Sequence, residues 1–295
     1  HVQGTINGYG ERCGNADLTT ILPNLQLKLG HDCLSAAALQ SLTEVSHYVS
    51  SRANLSHDPH QPYVGQSAFA HKGGMHVDAM RKCEESFQHI SPALVGNQQR
   101  VVVSELSGRG NILSMVEGLD LDVDVEQARS LVSTIKEMEH RGFQFEGAEA
   151  SVELLIRRSQ PGYVPPFQLI DFHILVRDKE NGIMSSEAVV KIKVGEETKL
   201  TVAEGNGPVN ALDDAVRQAL LPSYPVLEPV HLTDYKVRIL DGDAGTSAVT
   251  RVLIDSSDGD EVWSTVGSSA NIIEASWQAL ADSLEYALLK RGKAV

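Results

Sequence analysis

Apolar and polar positions follow two different rhythms along this chain, and the change of rhythm marks its organisation. Before residue 160 the helical period dominates. Val125, Ala128, Leu131, Val132, Ile135 and Met138 recur at the three- and four-residue spacing of one helix face, and Gly142 supplies the stop. A second helix is predicted over 146–158, with Ala148, Val152, Leu155 and Ile156 on its apolar side. The helical pattern extends across 105–159 as a whole. Upstream, 16–29 and 33–53 are predicted helices separated by Gly30, the latter through Leu34, Ala37, Leu39, Leu42, Val45 and Val49. Val2 to Ile6 is short and β-prone, and 51–64, polar with Pro59 and Pro62, reads as a loop.

The stretch Pro161-Gly162-Tyr163-Val164-Pro165-Pro166 ends this regime, because proline restricts itself and its predecessor. Beyond it the period becomes two. Strands are predicted at 167–176, 188–194 and 198–203, then a helix over 208–220 opened by Pro208. The same order returns as strands at 235–240, 248–254 and 261–266 and a helix over 270–289. Asn181-Gly182 and Asp241-Gly242 are turn signals sixty residues apart, as are Ala188 and Ala248, and Asn210 and Asn271 open the two helices. This is an internal duplication of a strand–strand–strand–helix unit. One copy alone would leave a sheet face bare, so the two are expected to pack together. Lys191, Lys193 and Lys199 read as a solvated face, and Trp263 and Trp277 as core.

Composition narrows the function classes. With 295 residues, about two domains are expected. The 42 % hydrophobic and 22 % charged content argues against disorder. The 39 acidic side chains against 25 basic ones give a formal charge of −14, which argues against nucleic acid or an anionic membrane as partner. No apolar run reaches the roughly 18 residues of a membrane span. Three cysteines without CxxC spacing suit a reducing cytoplasm and no disulfide framework. The chain opens on His1 without Met or a signal-like segment, and is expected to start after processing or to be a piece of a longer protein.

Two clusters offer chemistry. His71-Lys72-Gly73-Gly74-Met75-His76-Val77-Asp78 combines two imidazoles, a carboxylate and glycines. A five-residue spacing does not place both histidines on one helix face, so a His-Glu-x-x-His zinc site is not supported. The cluster is either a loop with surface histidines or a general acid or base presented on a glycine-rich loop. Glu11 and Asn15 lie among Gly4, Gly8, Gly10 and Gly14, where they either serve turn chemistry or face a metal or an anionic substrate. Gly205-Asn206-Gly207 before Pro208 reads as a helix-entry loop able to hold an anion, without dinucleotide-fingerprint spacing. Cys13 has no neighbouring His to activate it.

Together these segments resemble the acetyl-CoA-dependent aldol-type synthases that make 2-isopropylmalate, homocitrate and citramalate. Residues 2–15 are similar to that family's last barrel strand and the loop after it, and Ala68 to Asp78 to its post-barrel catalytic loop. His89 to Asn97 and Ser104 to Arg109 are similar to its linker subdomain. Tyr9, Cys13 and Leu106-Ser107-Gly108-Arg109 resemble the citramalate-forming branch. The resemblance implies a mixed α/β chain: the end of a TIM barrel over 1–32, helical linker subdomains over 33–160, and a regulatory domain of two βββα units over 161–295.

It further implies that Asn15 sits beside a divalent metal (Mg, Mn or Zn), that Glu11 lines the active site, and that His76 reaches it across a homodimer interface to help form the acetyl-CoA enolate or the water nucleophile. The family's partner tyrosine falls at Phe87, which has no hydroxyl. Acetyl-CoA and pyruvate are the implied substrates, with 2-isopropylmalate formation the alternative and a non-catalytic amino-acid-binding fragment the second. Isoleucine or leucine is the implied effector, held near Gly205, Gly207, Asn210, Tyr235 and Ala248. The family's acidic metal ligand, substrate arginine and His-x-His pair have no counterpart in this sequence, and a (β/α)₈ barrel needs about 250 residues. The chain alone is therefore expected to be catalytically inert.

Overall fold

Short polar side chains set the helix boundaries of the N-terminal part. A computed structural model describes residues 1–55, 57–71, 76, 79–80, 82–83, 86–101, 116, 124–178, 182 and 184–291. Asp17 accepts the backbone N–H of Thr19 and caps α1 (Leu18–Pro23), which runs into a π-helical turn, Asn24–Lys28. Ser35 caps α2 (Ala36–Gln40) through the N–H of Ala38. The helix expected over 33–53 is broken at Ser41, whose hydroxyl bonds back to Ala37 O before α3 (Leu42–Arg52) begins. The segment Val2 to Ile6 is not a strand among the described residues. It makes one parallel bridge, Thr5 to Asp17, and a strand needs a continuous ladder partner. Two short strands, β1 (Ala70–His71) and β2 (Arg100–Val101), pair in parallel. Leu39, Leu42, Tyr63, Val64, Phe69 and Val95 form the small core of this N-terminal body.

The described residues from Val116 onward form a second, C-terminal body. Its first helix, α4 (Val125–His140), opens on a capping box between Asp124 and Gln127, and α5 (Glu149–Arg158) follows. Most of the helical stretch expected over 105–124 lies outside the described residues. Ala128, Leu131 and Ile135 of α4 meet Phe143, Phe145, Val152, Ile156 and Val266 in one apolar cluster.

Two antiparallel sheets follow, β3–β4–β5 (Gln168–Asp178, Met184–Val194, Glu197–Gly205) and β6–β7–β8 (His231–Ile239, Thr250–Ser257, Val262–Ser269). Each is completed by a helix, α6 (Pro208–Leu220) and α7 (Ile272–Arg291). The duplication read from periodicity is therefore present, down to small features. The first strand of each copy skips one residue of its ladder, between Leu169 and Asp171 and between Leu232 and Asp234. Thr201 Oγ1 donates to Ala215 O and Thr265 Oγ1 to Ala279 O, both at 2.7 Å. Central-strand residues Val190 and Ile192 in one copy and Val252 and Ile254 in the other are fully buried. Ala211, Leu212, Ala215, Val216, Ala219 and Leu220 of α6 find their counterparts in Ala275, Ser276, Ala279, Leu280, Ser283 and Leu284 of α7. Both copies share one core, to which α5 adds Ala150 and Leu154.

Three positions differ from expectation in detail. Lys199 does not lie on a solvated face. It points to the helix side of β5, where Nζ donates to Ala219 O and Ser223 Oγ (3.1 and 2.6 Å) at the negative end of α6. Asn271 is a true cap, its Oδ1 taking the N–H of Ile273, whereas Asn210 lies within the first turn of α6 and accepts from Asn206 N. Trp263 is core, with Nε1 donating to Ser283 Oγ at 3.0 Å, while Trp277 is partly buried against Phe172.

Candidate functional site

The glycine-rich loop of the N-terminal body is a closed turn. Its two ends are joined by Thr5 N to Ala16 O and Leu18 N to Thr5 O, both 3.0 Å, and inside it Asn15 N meets Gly8 O at 2.8 Å. Gly14 has a φ of +90°, and a side chain at Gly10 would run into the Asn15 amide, so these glycines answer to close packing. Asn15 Nδ2 donates to Tyr9 O at 3.1 Å. Glu11 and Arg12 form an exposed ion pair at 3.0 Å. Turn chemistry thus accounts for part of this sequence, and it leaves the Glu11 carboxylate and the Asn15 side chain at the exposed surface.

The base of the loop is polar and tightly bonded. Asp17 Oδ1 accepts Thr19 Oγ1 and its Oδ2 accepts Thr20 Oγ1, each at 2.7 Å. Burial pushes this carboxyl upward, but these bonds and that from Gln61 outweigh it and hold Asp17 below the usual carboxylate range. Periodicity gave no sign of Gln61, a buried amide in a loop; only its polarity among turn residues sets it apart.

His71 and His76 come from different settings. His71 lies on β1 with Nε2 buried and without a hydrogen-bond partner among the described residues. Burial first, and the charge of His76 second, depress its pKa, so it is neutral at pH 7. His76 is exposed, its ring stacked on Phe87 with centroids 4.2 Å apart and planes 22° from parallel. Lys72 to Met75, Val77 and Asp78 lie outside the described residues. No hydrogen bond or ion pair joins Glu11 or Asn15 to His76 among the described residues, and no three His, Cys, Asp or Glu side chains there converge as metal ligands.

The expected effector residues fall at two helix entries of the C-terminal body. Gly205 ends β5, Gly207 precedes Pro208 at the start of α6, and Asn210 bonds Asp214 within that helix. Tyr235 on β6 places its hydroxyl 2.7 Å from Ser276 Oγ in the second turn of α7, and Ala248 is buried before β7. No hydrogen bond links the two sets among the described residues. A separate cleft of 520 Å³ lies among α4, α5, β8 and α7, lined by Phe143, Leu155, Val266, Trp277, Arg158 and Asp282 among others. Arg158 there bonds both Asp282 and Glu285 at 2.7 Å, and Tyr163 donates to Glu285. No helix among the described residues is long and apolar enough to cross a membrane.

Comparison with known proteins agrees with the resemblance carried by the sequence motifs. The family model for the LeuA allosteric (dimerisation) domain matches residues 146–288, and that for the homocitrate synthase post-HMGL domain-like family matches 63–142. Relatives include proteins named (R)-citramalate synthase from Synechocystis (52 % identical over 97 % of this chain), Geobacter sulfurreducens (51 % over 98 %) and Aquifex aeolicus (46 % over 98 %). The chain spans about half the length of these curated relatives, 54 %, 55 % and 55 % respectively. By these matches the chain resembles, over nearly its whole length, the family of 2-isopropylmalate, homocitrate and citramalate synthases.

Proposed function

We propose that the protein makes (R)-citramalate, by adding the acetyl group of acetyl-CoA to pyruvate and hydrolysing the thioester to release CoA. The observation that carries this reading is the 46–52 % identity, over nearly the whole chain, to proteins of that name. A base removes a methyl proton from acetyl-CoA, the resulting enolate carbon attacks the pyruvate ketone, and water then displaces the thiolate. We assign His76 to proton transfer at the enolate or the water, and Glu11 to the wall of the same site. The flat stack of His76 on Phe87 supports this, because it orients the imidazole while leaving its edge exposed. Phe87 carries no hydroxyl, so no phenol at that position shares the proton.

Asn15 is the side chain assigned to the divalent metal (Mg²⁺, Mn²⁺ or Zn²⁺). It would give one oxygen where Mg²⁺ takes about six ligands. The described residues of this chain do not fit a metal centre by themselves, and no step assigned to them runs through one. The proposed division is a barrel end over 1–32, a helical connector over 33–160 and a regulatory domain over 161–295, with isoleucine, then leucine, as effector. The last supports pairing into a homodimer, because its sheets expose Ile170, Leu200 and Val202 in one copy and Val237 and Ile239 in the other. Free, exposed Cys13, Cys33 and Cys83 fit the reducing cytoplasm.

The test is thiol release from acetyl-CoA by a whole synthase containing this chain. CoA release with pyruvate, and much less with 2-oxoisovalerate, is expected; the reverse preference would assign 2-isopropylmalate formation instead. Calorimetry of the chain with isoleucine, leucine and valine tests the sensor, and no heat from any of them overturns it.

A further inference from the structure

The glycine-rich loop is closed at its base by a side chain that belongs to neither of its arms. Gln61 is buried, and its Nε2 lies 3.3 Å from Asn7 Oδ1, 3.2 Å from Asp17 Oδ2 and 3.0 Å from Thr19 Oγ1. Asn7 stands where the loop leaves and Asp17 where it returns. We propose that Gln61 is a positioning residue, a clasp that fixes the loop 8–16 and with it Glu11 and Asn15. This rests on the reading above that those two side chains face the reacting molecules.

The loop holds itself only in part, through the backbone bonds Asn15 N to Gly8 O and Gly14 N to Glu11 O. Gly8, Gly10 and Gly14 make it costly to order, since glycine loses more conformational freedom than any other residue. Among the described residues, its side-chain bonds within itself come down to Asn15 Nδ2 to Tyr9 O and the exposed Glu11–Arg12 pair. The rest of its order comes from the base, and the base has no spare protons. Asn7 adopts a left-handed conformation (φ 60°, ψ 11°), tolerated by asparagine when its side chain is bonded. Its Nδ2 donates to Ser46 O at 2.8 Å and to Ser50 Oγ at 3.0 Å, and its Oδ1 takes the Ser46 hydroxyl at 2.5 Å. That commits the Ser46 proton, so His57 Nε2, 2.7 Å away, is the donor to Ser46 Oγ. Ser50 gives its own proton to Ser46 O and therefore accepts from Tyr9 as well as Asn7. Thr19 likewise gives its proton to Asp17 and accepts from Gln61. Among the described residues, Gln61 is the one group of this lattice whose amide, two N–H protons facing three acceptors, reaches both ends of the loop.

The experiment compares Gln61→Met, which keeps length but has no N–H, with Gln61→Glu and with Gln61→Glu combined with Asp17→Asn. In the combination, the amide introduced at position 17 can donate to the carboxylate introduced at position 61 while still capping α1. Hydrogen exchange of the chain itself is read at amides 8–16 and, as control, in α3. Turnover is read in a whole synthase carrying the same changes. Gln61→Met and Gln61→Glu are expected to speed exchange in the loop at least about tenfold and to lower kcat by a similar factor, with KM for pyruvate within about twofold. The paired change should return part of both losses. Unchanged loop exchange in Gln61→Met overturns the clasp, and faster exchange with unchanged kcat overturns the positioning role. If Gln61→Met fails to fold, the contrast between Gln61→Glu and its paired variant decides, and no recovery in the pair overturns the clasp. A wild-type synthase that forms no citramalate overturns the proposed reaction instead, with the exchange result still judging the clasp.

Discussion

The two bodies of this chain are held by different physics. In the C-terminal body, order comes from repetition: two sheets and two helices offer the same small and branched apolar residues at equivalent places, and these merge into a single core. In the N-terminal body the apolar cluster is small, and the loop that carries Glu11 and Asn15 is fixed by hydrogen bonds among Asn7, Asp17, Thr19, Ser46, Ser50, His57 and Gln61. Apolar packing is non-directional and tolerates conservative exchange. A bonded polar lattice is directional, and it fails when one partner is lost. A body built the first way tolerates conservative exchange and keeps its fold. A loop held the second way keeps a few side chains in place at the cost of tolerance.

The comparison is broken most strongly by removing packing where packing is said to dominate. Leu212 in α6 is fully buried in the shared core. Leu212→Ala should cost about 3 kcal/mol. Both tryptophans, Trp263 and Trp277, lie in the C-terminal body, so fluorescence-detected unfolding in urea reads this loss directly. A cost under about 1 kcal/mol would mean that the duplicated core is not what holds this body.

The next effect belongs to chemistry rather than stability. His76 is exposed and bonds to no neighbour among the described residues, so its removal should leave the fold alone. His76→Ala in the whole synthase should cut kcat at least about a hundredfold, equivalent to roughly 2.7 kcal/mol of barrier, with little change in KM. His71, its pKa depressed by burial and its Nε2 without a partner among the described residues, is the control. If His71→Ala takes the larger share of the loss, the acid–base role moves to that residue.

These two bodies were not equally legible in the sequence. The βββα copies announce themselves because a strand buried on one face must alternate, and the alternation of Ala188, Val190, Ile192 and Val194 is visible by eye. Their finer equivalences, such as Thr201 with Thr265, become visible only once strands are aligned in space, since a threonine in a strand is otherwise unremarked. Lys199 misled for a related reason: every second residue of β5 faces the helix, and a lysine there is read as solvated unless the end of α6 is known to lie beside it. In the N-terminal body the motif residues stood out by glycine density, but the side chains that hold them did not. Gln61, Ser46 and Ser50 carry no period and no motif, because their role depends on segments some forty residues away. The pairing of His47 with His57, stacked at 4.0 Å, was equally hidden.

That pair sharpens the comparison through pH. Burial, and for His57 also the charge of His47, depresses both imidazoles below their usual value, against partial opposition at His57 from Asp58 and Asp17; Arg100 adds to the effect on His47. A depressed histidine binds fewer protons folded than unfolded, so stability falls as pH drops below about 6.5 and the loss is complete below the folded values. In the C-terminal body the corresponding group is Asp258, held at about 2 by the N–H groups of Glu261 and Asp260 and by Arg291. Its contribution is present above the ordinary carboxylate range and is lost only as pH falls towards 2. Between pH 7 and 5 the N-terminal body should therefore weaken while tryptophan fluorescence stays native. Imidazole proton signals followed against pH would show it, and coincident loss of both bodies would contradict the distinction.

The smallest effect tests the C-terminal body, at a point where the two copies are not alike. Asn271 caps α7 with its side chain, whereas the equivalent entry to α6 is Gly207, which has no side chain to offer. Gly207 is extended, at φ −163° and ψ 171°, and a Cβ there would meet nothing within 4 Å. Gly207→Asn should therefore fit and stabilise the C-terminal body by a few tenths of a kcal/mol, because asparagine is a better cap than glycine by about that much. A stabilised protein that still releases heat with isoleucine would mean that Gly207 was left bare for no ligand. A stabilised protein that no longer does would place the effector at the uncapped helix, since the new side chain fills only the space that the glycine kept open. Had packing alone governed this body, the substitution would be silent in both readouts, so even this small change separates a fold built to stand from a fold built to listen.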